Sequence, residues 1–103
     1  MRVILKTKNY DAIGEYSDGQ ITVLKGSTIS KKFGEYRHGK GVKTVRESKE
    51  YVNDNGILIN DYTFKTPSAA AQFVVGYSVN GTLVWKTENG ISLKEYMGEQ
   101  NNG

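Results

Sequence analysis

The segments Thr66-Pro67-Ser68-Ala69-Ala70-Ala71 and Val79-Asn80-Gly81 dominate the expected fold of this chain. Threonine is a favoured N-cap residue, and the proline that follows it suits the first helical position. Apolar residues then continue on nearly all sides up to Gly76, which suits a helix C-terminus. The pattern predicts a buried helix near 67–76, followed by a turn with positive φ at Asn80-Gly81.

Outward from this helix, four Asx-Gly pairs divide the chain, and such pairs adopt positive φ angles at little cost. They are Asp18-Gly19, Asn55-Gly56, Asn80-Gly81 and Asn89-Gly90. The alternating or β-branched segments between turns predict strands at 2–7, 12–17, 20–25 and 82–87, the last carrying Trp85. Residues 57–59 and 62–64 are expected to form short strands or one bent strand.

Helical spacing of valines predicts an amphipathic helix near 42–53, and a short C-terminal helix is expected over 92–97. The expected fold class is therefore α+β, with a small antiparallel sheet of about four to five strands packed against the buried helix near 67–76. Residues 1–98 are expected to form a single domain, because a chain of 103 residues is too short to bury two cores. The polar tail 99–103 is expected to fray.

The composition excludes several classes of protein. The chain has no cysteine, which removes disulfides, thiolate nucleophiles and zinc–thiolate sites. No segment approaches the roughly 18 apolar residues that a membrane span needs. The four apolar residues near the N-terminus are too few for the core of a signal peptide. We therefore expect a cytoplasmic protein without membrane contact.

The net charge of +3 is unevenly distributed. Residues 1–50 carry 11 Lys/Arg and 6 Asp/Glu, a balance of +5, whereas residues 51–103 carry 3 and 5, a balance of −2. Seven of the cations lie in 25–46, where Glu35 is the one acidic residue, so that this segment has a balance of +6. A cationic segment of this density favours a polyanionic partner, although solvated loops can be charged for solubility alone.

No constellation of residues predicts catalysis. Residues 34–41 match the sequence pattern of a phosphate-binding loop at all but one position, because Gly41 stands where Ser or Thr would hold magnesium. Such a loop also follows a buried strand, and none is expected before residue 34. His38 is the single histidine and has no partner ligands. Ser68 is expected to satisfy backbone amides in the first helical turn. We expect no catalytic residue, no metal and no cofactor.

Aromatic side chains interleaved with cations are typical of proteins that bind nucleic-acid backbones. The candidate nucleic-acid-binding residues are Lys25, Lys31, Lys32, Phe33, Tyr36, Arg37, Lys40 and Lys43. For Phe33 a second interpretation stands equally: its ring could cover the edge of the core. Trp85, flanked by apolar residues, is expected to pack beneath the 66–76 helix.

Three motifs in order resemble a known family, called domain of unknown function 4357, itself similar to the RAMA (restriction enzyme adenine methylase associated) domains. They are the helix start Thr66-Pro67-Ser68-Ala69-Ala70-Ala71, the stretch from Gly76 to Lys86, and Ala12-Ile13-Gly14-Glu15-Tyr16 followed by Val23-Leu24-Lys25-Gly26-Ser27. Asn89-Gly90 with Leu93 also fits, so that the resemblance covers roughly 10–96. Thr82 departs from the pattern, which usually has an aromatic residue there.

The resemblance implies a DNA-associated domain, commonly appended to GIY-YIG-type nucleases or restriction-associated proteins. The leading hypothesis from the sequence is a non-enzymatic DNA-binding module, accessory to a nuclease or restriction-modification type protein. The alternative is a protein–protein interaction domain of a DNA-processing complex, since sheet edges and seven tyrosines would suit a protein partner.

Overall fold

A computed structural model describes residues 1–34 and 41–102 of the chain, with side chains up to residue 98. The strands are β1 (Arg2–Thr7), β2 (Tyr10–Ser17), β3 (Gln20–Val23), β4 (Tyr62–Phe64) and β5 (Lys86–Thr87). The helices are α1 (Val42–Arg46), α2 (Pro67–Val75), α3 (Gly81–Val84) and α4 (Leu93–Asn102). The strands form an antiparallel sheet in the order β4-β3-β2-β1-β5, which confirms the α+β prediction.

The sheet has one buried and one open face, as the alternation of side chains along each strand requires. The inner face carries residues of the hydrophobic core, and α2 lies against strands β2, β3 and β4. The buried residues of this face are Val3, Leu5, Ala12, Ile21, Val23 and Phe64. The outer face carries Arg2, Ile4, Lys6, Asp11 and Ile13. Asp18 and Gly19 both have positive φ, 52° and 81°, which confirms the tight turn between β2 and β3.

Helix α2 forms as the local sequence predicts. The Thr66 hydroxyl accepts a hydrogen bond from the Ala69 N–H at 3.1 Å, Pro67 occupies the first turn, and Gly76 ends the helix with φ 91°. Six of its nine residues are buried, all of them apolar: Ala69, Ala70, Ala71, Phe73, Val74 and Val75. The small alanines allow the helix to lie close to its neighbours, so that α2 forms the centre of the core.

The Asn80-Gly81 prediction is wrong, because these residues begin helix α3 rather than form a positive-φ turn. Asn80 has φ −86° and its side chain accepts a hydrogen bond from the Thr82 N–H. The strand expected at 82–87 is reduced to Lys86–Thr87 for the same reason. An Asn N-cap followed by a helical turn competes with a hairpin for the same residue types, and here packing against α2 stabilises the helix.

Helix α3 is attached to the start of α2 by two side-chain hydrogen bonds. The Gly81 N–H donates to the Ser68 hydroxyl at 3.0 Å, and the Trp85 indole N–H donates to the Pro67 carbonyl at 3.1 Å. Trp85 is fully buried, as expected, whereas Ser68 bonds to a neighbouring helix rather than to its own first turn. The helix start at 66–71 and the stretch from Gly76 to Lys86 thus contact each other through these two hydrogen bonds.

The helix predicted at 42–53 is shorter than expected and ends at Arg46. Val52 forms an antiparallel bridge with Leu58, and the Ile59 N–H donates to the Tyr51 carbonyl at 2.7 Å. Those pairings require extended backbone, so residues 47–50 turn instead of continuing the helix. Residues 57–59 are held by such isolated bridges and not by a regular strand, and α4 runs beyond the expected 92–97.

Candidate nucleic-acid interface

Five of the eight candidate binding residues lie in the described part of the chain: Lys25, Lys31, Lys32, Phe33 and Lys43. Tyr36, Arg37 and Lys40 lie outside it, as does His38. The described side chains do not form one cluster. Lys31 and Lys32 lie together, whereas Lys25 lies in a neighbouring groove and Lys43 on helix α1.

The backbone that carries Lys31 and Lys32 is anchored on both sides by backbone hydrogen bonds. Asp11 and Thr28 exchange backbone hydrogen bonds of 3.1 and 2.9 Å. Further along, the Ser30 N–H donates to the Val74 carbonyl and the Gly34 N–H to the Gly76 carbonyl, both at 2.8 Å. The end of α2 therefore positions these lysines.

Arg46, one of the seven cations of the 25–46 segment, is engaged within the fold. Its guanidinium donates from Nε to the Phe73 carbonyl at 2.8 Å and from Nη2 to the Val74 carbonyl at 3.4 Å. It also lies 4.6 Å from the centre of the Phe33 ring, which is half-buried against the core. Phe33 therefore covers the core edge, the second of the two interpretations offered above.

A groove of about 420 Å³ opens beside this segment, and three exposed lysines line it: Lys8, Lys31 and Lys32. Asn9 and Asn55 also line it. We call it the lysine groove. None of its lining residues is acidic, and its lysines form no ion pair with any residue in the described ranges. Its electrostatic potential is therefore positive and is not neutralised from within.

The sequence does not predict Lys8, Asn9 or Asn55 as site residues. Lys8 and Asn9 form the turn between β1 and β2, and the Asp11–Thr28 bridge brings that turn next to residues 28–32. This bridge joins residues that are distant in the chain, and no local sequence pattern predicts it. A lysine at a turn is otherwise indistinguishable from any solvated charge.

Lys25 lies in an adjacent groove whose composition is mixed. That groove contains Arg2 and Asp11 as well, and it meets the lysine groove at Thr28. The Lys25 backbone N–H donates to the Asp61 carboxylate at 2.7 Å, while Arg2 pairs with Glu15. Acidic groups close to these cations reduce their attraction for an anion, so this groove is the weaker candidate.

On the far side of Lys31, Lys49 is paired with an acidic residue. Its ammonium group donates a hydrogen bond to Asp54, and that bond, together with the positive charge, holds the pKa of the Asp54 carboxyl below its usual value. Both side chains are exposed. Lys49 is therefore less available to an external anion than the lysines of the groove.

Within residues 1–34 and 41–102, no group of three or more His, Asp or Glu side chains is placed to hold a metal ion. No helix in that part of the chain is long and apolar enough to cross a membrane.

The fold and the groove define a small antiparallel α+β domain with an exposed cationic surface. The chain belongs to the family described as Domain of unknown function (DUF4357), whose model matches residues 3–97, in agreement with the resemblance of the motifs. No curated protein and no solved structure matches the chain.

Proposed function

We propose that this domain is a non-enzymatic recognition module that binds nucleic acid, primarily DNA. We further propose that it acts as an accessory to a nuclease or a restriction-modification type protein. The observation that carries the proposal is the lysine groove: Lys8, Lys31 and Lys32 converge there without an acidic residue in the lining. Ammonium groups neutralise phosphates, and the amides of Asn9 and Asn55 are suitable donors to phosphate or sugar oxygens.

The backbone around the groove supports this role, because the lysines need little ordering on binding. Residues 28–34 are bonded to both β2 and the end of α2, so their positions are fixed before a ligand arrives. Only the flexible lysine stems lose freedom, which costs less than ordering a loop. Contacts of this kind position a duplex without specifying its sequence.

Salt dependence provides the first test. Three lysine–phosphate contacts predict that log K falls with log salt concentration with a slope of roughly −3, and further contacts from 35–40 would steepen it. Fluorescence anisotropy of a labelled DNA duplex, measured at several salt concentrations, gives this slope directly. Binding that is absent, or that does not respond to salt, would contradict the proposal.

A matched pair of charge-reversal variants provides the second test. Lys31→Glu/Lys32→Glu changes the groove, and Lys65→Glu/Lys94→Glu makes the same change in net charge at exposed sites elsewhere. We expect the groove variant to weaken duplex binding by about tenfold or more and the control much less. Equal weakening would mean that net charge alone attracts the duplex, and the groove would then not be the site.

A further inference from the structure

Strand β1 has an incompletely paired edge. It pairs with β2 over all of Arg2–Thr7, but with β5 only at Val3 and Ile4. Along a central antiparallel strand, successive residues form their backbone hydrogen bonds alternately with the strand on one side and the strand on the other. The Tyr16 N–H donates to the carbonyl of Met1, so Met1 bonds toward β2. Odd-numbered residues of β1 therefore bond to β2, whereas Ile4 and Lys6 face the side of β5.

Among residues 1–34 and 41–102, no strand lies opposite Lys6 on that side. Ile4 pairs with Lys86, so Val84 would be the next partner in register, but Val84 belongs to helix α3. In the described part of the chain the backbone N–H and C=O of Lys6 accordingly have no hydrogen-bond partner. A donor and an acceptor on one exposed strand edge are what an added strand uses for pairing.

A groove of about 370 Å³ lies between this edge and α3, and we call it the edge groove. Most of its lining is apolar: Ile4, Leu5, Tyr10, Leu83 and Val84. Leu83 is 47% exposed, unusually open for a large aliphatic side chain beside a core. Burying it would stabilise a bound partner.

The charged residues of the edge groove are both lysines. Ile4 lies on the outer face of the sheet. Lys86, which is paired with Ile4, and Lys6, which is two residues further along β1, therefore lie on the outer face too. None of the lining residues is acidic. Lys6 lies 3.8 Å from Asp11, but both side chains are more than half exposed, so this pair is weak. The outer side of the groove therefore attracts a carboxylate.

From this arrangement we propose that the edge groove binds an extended peptide with an apolar–acidic–apolar sequence, which adds to the sheet beside β1. The central residue exchanges two backbone hydrogen bonds with Lys6, which directs its acidic side chain to the outer face near Lys6 and Lys86. The flanking side chains point to the opposite face and contact Leu83 and Val84. This binding uses a different surface from the lysine groove and does not depend on nucleic-acid binding.

The test is an NMR titration of the ¹⁵N-labelled domain with a blocked peptide that has threonine at both ends and valine, glutamate and valine between them. We expect shift changes at residues 5–7 and at Leu83 and Val84. Methylation of the glutamate backbone nitrogen removes the donor to the Lys6 carbonyl and should weaken binding about tenfold. No change at about 1 mM peptide, or changes centred on the lysine groove, would overturn the proposal.

Variants of the domain test the same contact from the other side. Lys6→Pro removes the N–H that faces the empty edge without breaking the ladder to β2, whereas Lys6→Ala removes the charge and keeps the N–H. Of these two Lys6 variants, the proline should abolish binding and the alanine should weaken it severalfold. Leu83→Asp should also abolish binding, while Ile59→Asp, at another exposed aliphatic residue, should leave it unchanged. Equal affinities would overturn the proposal, and the methylated peptide decides the matter if the proline variant does not fold.

Discussion

Gly81 and Gly98 allow a direct comparison of what a single methyl group does at two helical positions. A Cβ atom at Gly81 would lie 2.1 Å from the Pro67 carbonyl carbon, whereas a Cβ at Gly98 would meet nothing within 4 Å. We expect Gly81→Ala to lower the free energy of unfolding by about 3 kcal/mol, because α3 must move away from α2. Gly98→Ala should raise it by about 0.5 to 1 kcal/mol. Urea denaturation measures both, and equal values would contradict the close approach of the two helices.

Thr87 has a buried hydroxyl group without a hydrogen-bond partner in the described structure. Such a group loses its contacts with water and gains none in return. Replacement by valine keeps the shape, so Thr87→Val should stabilise the domain by about 1 kcal/mol and raise Tm by roughly 4–8 °C. Thr87→Ser, which keeps the hydroxyl, should give no such gain. A lower Tm for the valine variant in thermal unfolding would show that the hydroxyl is satisfied.

At the scale of elements, the C-terminal end of α2 is stabilised by a side chain from α1. The Arg46 guanidinium bonds to the carbonyls of Phe73 and Val74 and lies over Phe33. Arg46→Met should destabilise the domain by about 2 kcal/mol, because charge-assisted hydrogen bonds are lost and a helix end loses its cation. Lys49→Met, at an exposed ion pair, should leave stability nearly unchanged. Hydrogen exchange should accelerate at residues 72–76 in the Arg46 variant alone, and equal protection in both variants would contradict this role.

The elements differ in how far the sequence predicts them, and the difference has a physical cause. Helix α2 carries its own cap, its proline and its C-terminal glycine, so local signals and tertiary packing agree. Helix α1 and strand β5 are shorter than expected because residues outside each segment take over part of its backbone: Leu58 pairs with Val52, and α3 docks on α2. The periodicity of a segment carries no information about partners outside that segment.

At the scale of the whole molecule, the candidate site combines distant parts of the chain. The charge count indicates the 25–46 segment, but Arg46 is engaged with α2 and Lys25 lies beside acidic groups. Lys8, from the first turn, joins the lysine groove through the Asp11–Thr28 pairing. The charge distribution therefore predicts the region of the chain that contains the site, whereas the particular residues that form the site depend on the folded structure.

The site expected from the sequence and the lysine groove contain different lysines, and single substitutions distinguish between them. Lys8→Ala should weaken DNA binding as much as Lys31→Ala does, and each should reduce the salt slope by roughly 1. Lys43→Ala, on α1, should have a smaller effect, although the sequence alone ranks it above Lys8. Anisotropy titrations of the three variants at two salt concentrations provide the comparison. A larger loss for Lys43 than for Lys8 would favour the sequence-based site over the groove.

Trp85 is the chain's single tryptophan and is fully buried where α3 meets α2, directly before β5 completes the sheet beside β1. During protein synthesis β1 emerges first and its partner β5 emerges late, so the sheet cannot close until most of the chain has left the ribosome. An intrinsic fluorophore therefore lies next to the pairing that joins the first and last strands of the sheet. Its emission reports the docking of α3 on α2 during refolding, without any added label.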